Sequence, residues 1–308
     1  MALTYDTINS IVRDALLPVL INNVQYSNVL WYRIYQKRKK WLGGQKMQVP
    51  VRVFHNDNTL AYTGADTLTV AKKEIATKME LPFRSYNNAI YLEGDDYDAV
   101  QSSKEKVIDI VKSYMEAAED HLKKTFSDDI LNGVGASKQF DGIESAIGTS
   151  AYGGIDPADA TEWQSTVDST TTTLTPIELA TFYQNLTFGN EKPTLILCDA
   201  ALYPAIEMVI FQPNQRYSDS KLAELGFENL KYRKAIITAD ANVDAGHILF
   251  INENFLEFRV LKDFEFVDFM SPTNQDVMIG HIRFKGNLFV KNRKLQGKMT
   301  AITTVSAS

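Results

Sequence analysis

Four histidines, His55, His121, His247 and His281, and one cysteine, Cys198, are the side chains of this chain best suited to proton transfer, metal binding or nucleophilic attack. A metal centre needs several such groups at ligand spacing, and a nucleophile needs a base beside it. The histidines fall in separate segments with no second ligand next to them, and Cys198 sits inside the apolar run "TLILC", as a structural thiol does. No G-x-x-x-x-G-K-[ST], H-E-x-x-H, C-x-x-C or G-x-S-x-G occurs. The carboxylates of "EGDD" (93–96) have the chemistry to hold a cation, but ahead of a helix they serve as cap and dipole partners. The residues therefore imply no catalytic, metal or cofactor site, and a protein that is not an enzyme.

Two other stretches concentrate charge and aromatic surface. In "RIYQKRKKW" (33–41), Arg33, Lys37, Arg38, Lys39 and Lys40 lie among Tyr32, Tyr35 and Trp41. That mixture fits non-specific contact with nucleic acid, and equally a solvated face or one that salt-bridges to another subunit. The whole chain carries 32 Lys and Arg against 38 Asp and Glu, a net charge of -6, which argues against a body that grips nucleic acid all over. In "SAYGGIDPADATEW" (150–163), Gly153 and Gly154 permit tight backbone, Asp156-Pro157 marks a turn and Trp163 supplies a large anchor. No lysine-led helix follows the glycines, so a phosphate cradle is ruled out. The aspartates lack a base partner, which leaves a surface built for docking.

The elements that position these stretches follow from periodicity. Ile8, Ile11, Val12 and Leu16 share a helical face before Pro18, and the segment reads as an arm leaving the body. Met47, Val49, Val51 and Val53 alternate with polar neighbours, and Ile75, Thr77, Met79, Leu81 and Phe83 do the same, predicting a two-stranded ribbon that needs covering. Val107, Val111, Met115, Ala118, Leu122, Phe126 and Ile130 recur at helical steps. They predict a helix from about Tyr97 to Leu131, about 50 Å long, stopped by Gly133 and Gly135 and acting as a spine, not a core element. "TPIELATFY" carries a capping box at Thr175 and Glu178, and alternating strands and helices over 176–250 predict a mixed α/β lobe. The last fifty residues read as antiparallel strands through Leu256, Phe258, Val260, Phe264, Phe266, Met278, Ile282, Phe284, Leu288 and Val290, able to pack on the spine. The lone cysteine and the absence of a basic-then-apolar leader suggest a reducing cytoplasm. No apolar run reaches the roughly 20 residues of a membrane helix.

The order of parts resembles the tailed-bacteriophage major capsid proteins, whose Hong Kong 97-like coat fold is shared with encapsulins. The resemblance is carried by Gly44, Lys46 and Val49 to Val51, by "AYTGAD" (61–66), the spine, "FDGIESAIGTSAYGGIDPADATEW" (140–163), "ELGFENLKYRKAIITAD" and "GHILFINENFLEF". One departure is Lys234, where the family pattern often has glycine. The resemblance implies an α+β fold with an N-terminal arm (1–45), an E-loop ribbon (46–85), a P-domain (86–175 and 251–308) and an A-domain (176–250). It implies self-assembly as pentamers and hexamers into an icosahedral shell enclosing double-stranded DNA, or, in the alternative, a cargo compartment. A chain that begins directly with the arm implies a separate scaffolding protein; the family further implies a portal, a possible decoration protein, contact with packaged DNA and assembly in the host bacterial cytoplasm. Candidate contacts between subunits are Arg33, Lys37, Arg38, Trp41, Met47, Val49, Val51, Tyr152, Asp156 and Trp163.

Overall fold

The computed structural model describes residues 5–25, 28–52, 59, 61–67, 76–95, 104–209, 230–273 and 275–306. The spine helix runs Lys104–Asn132, and its 29 residues span about 44 Å; the start expected near Tyr97 lies outside the described residues. Its apolar stripe behaves as core: Val107, Val111, Met115, Ala118, Leu122, Phe126 and Ile130 are all buried. This corrects the expectation of a spine apart from the core. The helix stops where Gly133 passes so close to the carbonyls of Asp129 and Phe140 that a Cβ would sit 2.2 and 2.6 Å from their oxygens.

A four-stranded sheet in the order β1 (Lys39–Lys40), β11 (Leu256–Met270), β12 (Val277–Val290) and β4 (Arg84–Glu93) packs on this helix. Strands β11 and β12 form one long antiparallel hairpin, with the expected alternation turned inward. The N-terminal segment also belongs to this layer. Helices Tyr5–Ile11, Leu17–Gln25 and Val29–Gln36 bury Ile8, Leu20, Val24, Leu30 and Ile34, with Val12 buried between the first two, and Ile8, Ile11, Val12 and Leu16 face Val107, Ile108 and Val111. The expected departing arm is thus folded back, because its apolar stripe matches the stripe of the spine. Pro18 does not end it: residues Val12–Leu16 widen into a π-helical turn, with Leu17 N–H bonding to Val12 O, and the helix continues through the proline.

Trp31, fully buried, is the centre of this layer. Its ring lies 5.1 Å from that of Tyr35 and 5.2 Å from each of Phe126 and Phe258, so arm, spine and sheet meet on one indole.

A second sheet has the order β5 (Thr166–Asp168), β13 (Gly297–Met299), β10 (Ile248–Ile251), β7 (Leu195–Asp199), β9 (Ala235–Asp240) and β8 (Leu230–Tyr232). Strand β7 is central and apolar from Leu195 to Cys198, pairing parallel with β9 and antiparallel with β10. Helix Pro176–Asn185 covers it through Leu179, Phe182 and Tyr183. Its capping box is formed: Glu178 N–H donates to Thr175 Oγ1 at 3.2 Å and Thr175 N–H to Glu178 Oε2 at 3.1 Å. Strands β5 and β13, grouped by the sequence with the first lobe, extend this second sheet, and β14 (Thr304–Val305) pairs with β6 (Thr173–Leu174) beside it. Within the stretch expected to alternate strands and helices, residues 210–229 lie outside the described residues.

Candidate assembly surfaces

The 150–163 loop is organised by a residue far away in sequence. Arg293, wholly buried, follows β12 and spreads its guanidinium over four backbone carbonyls: Nε donates to Ala146 O at 2.8 Å, Nη2 to Gly148 O at 2.7 Å, and Nη1 to Ser150 O at 2.8 Å and Trp163 O at 3.0 Å. Its charge also lies 5.3 Å from the Tyr152 ring centre and 6.0 Å from that of Trp163. Burial pulls its pKa down to about 10, still far above neutrality, so it remains a cation. Trp163 Nε1 closes the loop by donating to Tyr152 O at 3.1 Å. Asp156 is exposed and serves the turn, its Oδ1 accepting from Ala158 N–H at 2.9 Å. Burial, with the charge of Asp141, raises the pKa of the Tyr152 phenol.

This loop docks on its own chain. Strands β2 (Lys46–Arg52) and β3 (Ala76–Pro82) form the expected antiparallel ribbon, with Met47 opposite Leu81 and Val49 opposite Met79. Glu80 N–H donates to Gly153 O at 2.9 Å, and Gly153, at φ +62°, lies so close to Met79 that a Cβ there would be 2.2 Å from its Cγ. The ribbon's root is fixed as well: Asn287 Nδ2 donates to Pro82 O at 2.8 Å, and Arg84 pairs with Asp141 at 3.5 Å. Met47, Val49, Val51, Tyr152 and Trp163 are therefore buried in one intrachain cluster. They offer no surface to a neighbour in this conformation. Their apolar character is explained by the ribbon needing a covered face, and the chain covers that face itself. The opposite face, Lys46, Gln48, Pro50 and Arg52, is exposed; the ribbon residues 53–58, including Val53 and His55, lie outside the described residues, as do 68–75.

Four of the five cations of the basic segment, all but Lys40, are paired among the described residues. Arg33 grips the buried Glu253 through two nitrogens, at 2.6 and 2.8 Å, with Lys37 at 3.7 Å from the same carboxylate. Arg38 meets Asp263 at 3.0 Å, and Tyr35 donates to that carboxylate at 2.6 Å. Lys39 sits in strand β1 and, with Lys291 and Arg259, surrounds Glu257. Burial alone would raise Glu257's pKa, but the bonds from Lys291 and Lys39 and the charge of Arg259 outweigh it and bring the carboxyl to about 2. The salt-bridging considered for this stretch with another subunit is formed within one chain by Arg33, Lys37, Arg38 and Lys39. Lys37 and Arg38 remain exposed and Arg33 and Trp41 half-buried, with Arg259 stacked 5.2 Å from the Trp41 ring.

Little of the chemistry-bearing set is poised for reaction. Burial, and then the charges of Asp199 and Asp240, pushes the Cys198 thiol up to about 12. His247 does have a neighbour that its sequence surroundings hid. Its Nδ1 lies 2.7 Å from Glu144 Oε1, and with Asp244 the three offer one ligand atom each within 4.8 Å of one another. Lys298 Nζ sits 2.6 Å from the other oxygen of Glu144, so this cluster is an ion-paired bridge between the short helix Ile143–Ala146, strand β13 and the turn before β10. In "EGDD", Asp96 lies outside the described residues. No described helix is long and apolar enough to cross a membrane.

No protein-family model matches the chain, and no curated protein matches it in sequence. Solved structures do match in shape. The capsid asymmetric unit of cyanophage A-1(L) superposes with a TM-score of 0.69 at 13% identity, covering 93% of each chain. The capsid of the native GTA particle gives 0.61 at 10% identity over 91% of each. The encapsulin complex of Synechococcus elongatus PCC 7942 gives 0.56 at 10% identity, over 88% of this chain and 87% of that one. Spine helix, long hairpin sheet, ribbon and mixed α/β lobe thus combine in the Hong Kong 97-like coat fold common to phage capsids and encapsulins.

Proposed function

We propose that this chain is a major capsid protein that self-assembles, as pentamers and hexamers, into the icosahedral head enclosing phage double-stranded DNA. The observation that carries the reading is the likeness to a cyanophage capsid subunit over more than nine-tenths of both chains. The task is structural and not enzymatic, which accords with a cysteine raised far from its thiolate form and a basic segment bound up in ion pairs. The surfaces assigned to contact between copies are the exposed members of the candidate set, Lys37, Arg38 and Asp156, the rims of Arg33 and Trp41, and the polar face of the ribbon. In a closed shell each such contact is heterologous, patch against different patch, and closes into rings by rotation. A separate scaffolding protein, a portal and a decoration protein are proposed companions, with assembly in the bacterial cytoplasm and residence in the virion. The likeness to an encapsulin supports the alternative of a cargo compartment.

Electron microscopy of the chain expressed with its neighbouring gene products tests both. Shells that package DNA through a portal are expected; shells filled with a companion enzyme would select the compartment, and a monomer that turns over a small substrate would overturn both.

A further inference from the structure

Four cations gather on one surface of the second lobe. Strands β8 and β9 are joined by a two-residue turn, Arg233-Lys234, since Tyr232 and Ala235 are already partners. With Lys231, Lys192 and Asn190 these residues line an open concavity on the second lobe. Lys231, Arg233 and Lys234 are exposed, Lys192 is half-buried, and among the described residues none of the four cations forms a salt bridge. The neighbouring carboxylate, Glu191, is occupied by Asn252 and Asn254 at 3.3 and 3.1 Å.

The turn itself is costly. Arg233 has φ +53°, a left-handed conformation that glycine adopts freely and a long side chain does not. A residue kept in that conformation at the tip of an exposed hairpin is a marker of use. Its guanidinium lies 5.3 Å from the ring centre of Tyr183 and 5.4 Å from that of Tyr232, which sets its direction.

We propose that this hairpin is a sequence-independent contact surface for the phosphate backbone of nucleic acid. The composition of the concavity selects that partner over an acidic protein. Protein interfaces carry an apolar core and are poor in lysine, whereas the described residues of this lining are three lysines, an arginine and an asparagine, with no apolar side chain among them. Lys, Arg and Asn are the side chains that reach phosphate oxygens. The net charge of -6 makes the contact weak and strongly dependent on salt. The identity of the nucleic acid as packaged duplex rests on the shell reading; the contact itself does not.

The test is fluorescence anisotropy of a labelled duplex of about 20 base pairs with the unassembled chain across a salt series. Four phosphate contacts correspond to a slope of about -3 to -4 in log K against log salt, a loss on the order of a hundredfold between 50 and 200 mM. The triple variant Lys231→Gln, Arg233→Gly, Lys234→Gln is expected to reduce the slope to about -1. Arg233→Gly alone relieves the strained turn, so a drop in affinity with unchanged or higher thermal stability separates lost charge from lost fold. Absent binding, or a slope the triple variant leaves intact, overturns the proposal. So does a triple variant that keeps its affinity for duplex but no longer forms shells, since the patch then meets an acidic face of another copy. Binding that holds in a chain forming no shells leaves the proposal standing and removes the shell reading.

Discussion

The Arg293 loop and the 33–40 segment both hold cations against aromatic surface, yet they neutralise them in opposite ways. Arg293 gives its donors to four neutral carbonyls in a buried site, while Arg33, Arg38 and Lys39 give theirs to the carboxylates of Glu253, Asp263 and Glu257. Carbonyls do not titrate, so the first arrangement is a fixed clamp on the loop that meets the ribbon. A carboxylate does titrate, so the second ties Lys39 of the N-terminal segment to Glu257 of β11 by a bond that acid can release.

Removing the clamp has the largest expected effect. Arg293→Ala takes the guanidinium from four carbonyls, of which Gly148 O keeps a bond from Ser165 N–H, and we expect a loss of about 4 kcal/mol or more in chemical denaturation. Arg293→Lys should recover only part, because an ammonium has three donors and no planar fork. Equal stability of wild type and Arg293→Ala would break the contrast. Arg33→Ala removes both guanidinium bonds from the buried carboxylate of Glu253, leaving it Lys37 at 3.7 Å and the Thr194 hydroxyl at 3.1 Å, and should cost about 2–3 kcal/mol, read in the same titration.

Acid separates the regions further. Glu257 has a folded pKa of about 2 against about 4.3 unfolded. Its contribution is therefore complete above about pH 4.3 and disappears as pH falls towards 2. Glu257→Gln should lower stability by about 1–2 kcal/mol at pH 7 and flatten the decline between those pH values, whereas Arg293→Lys should leave that limb unchanged. The smallest effect belongs to Lys294→Ala, which removes an exposed pair with Glu162 beside the clamp; we expect less than about 0.5 kcal/mol by thermal melting.

Much of the fold was legible because its signals are local. The two strands of the ribbon follow from alternation such as that at Met47, Val49 and Val51, the capping box from Thr175 and Glu178 three residues apart, and the long hairpin from alternating phenylalanines. What covers an apolar face is not local. The stripe through Ile8 and Val12 gives no indication that the spine is its partner, so the segment reads as a departing arm although it folds back. The same holds for the apolar members of the candidate contact set: Met47, Val49, Val51, Tyr152 and Trp163 find cover within one chain. Arg293 was invisible because its partners are backbone carbonyls, which no side-chain pattern encodes, and in "KNRK" it looks like a solvated cation. Trp31 was hidden among the basic and aromatic residues that drew attention to its neighbours.

The central claim is that this chain builds a shell from copies whose ribbon root is fixed internally. The most direct measurement is a cryo-electron microscopy reconstruction of the particles formed when the chain is produced with its companion gene products. We expect closed icosahedral shells of fivefold and sixfold rings, with each copy keeping Gly153 against its own Met79. A preparation that remains a 34.7 kDa monomer at every concentration, with no particle formed, would contradict it.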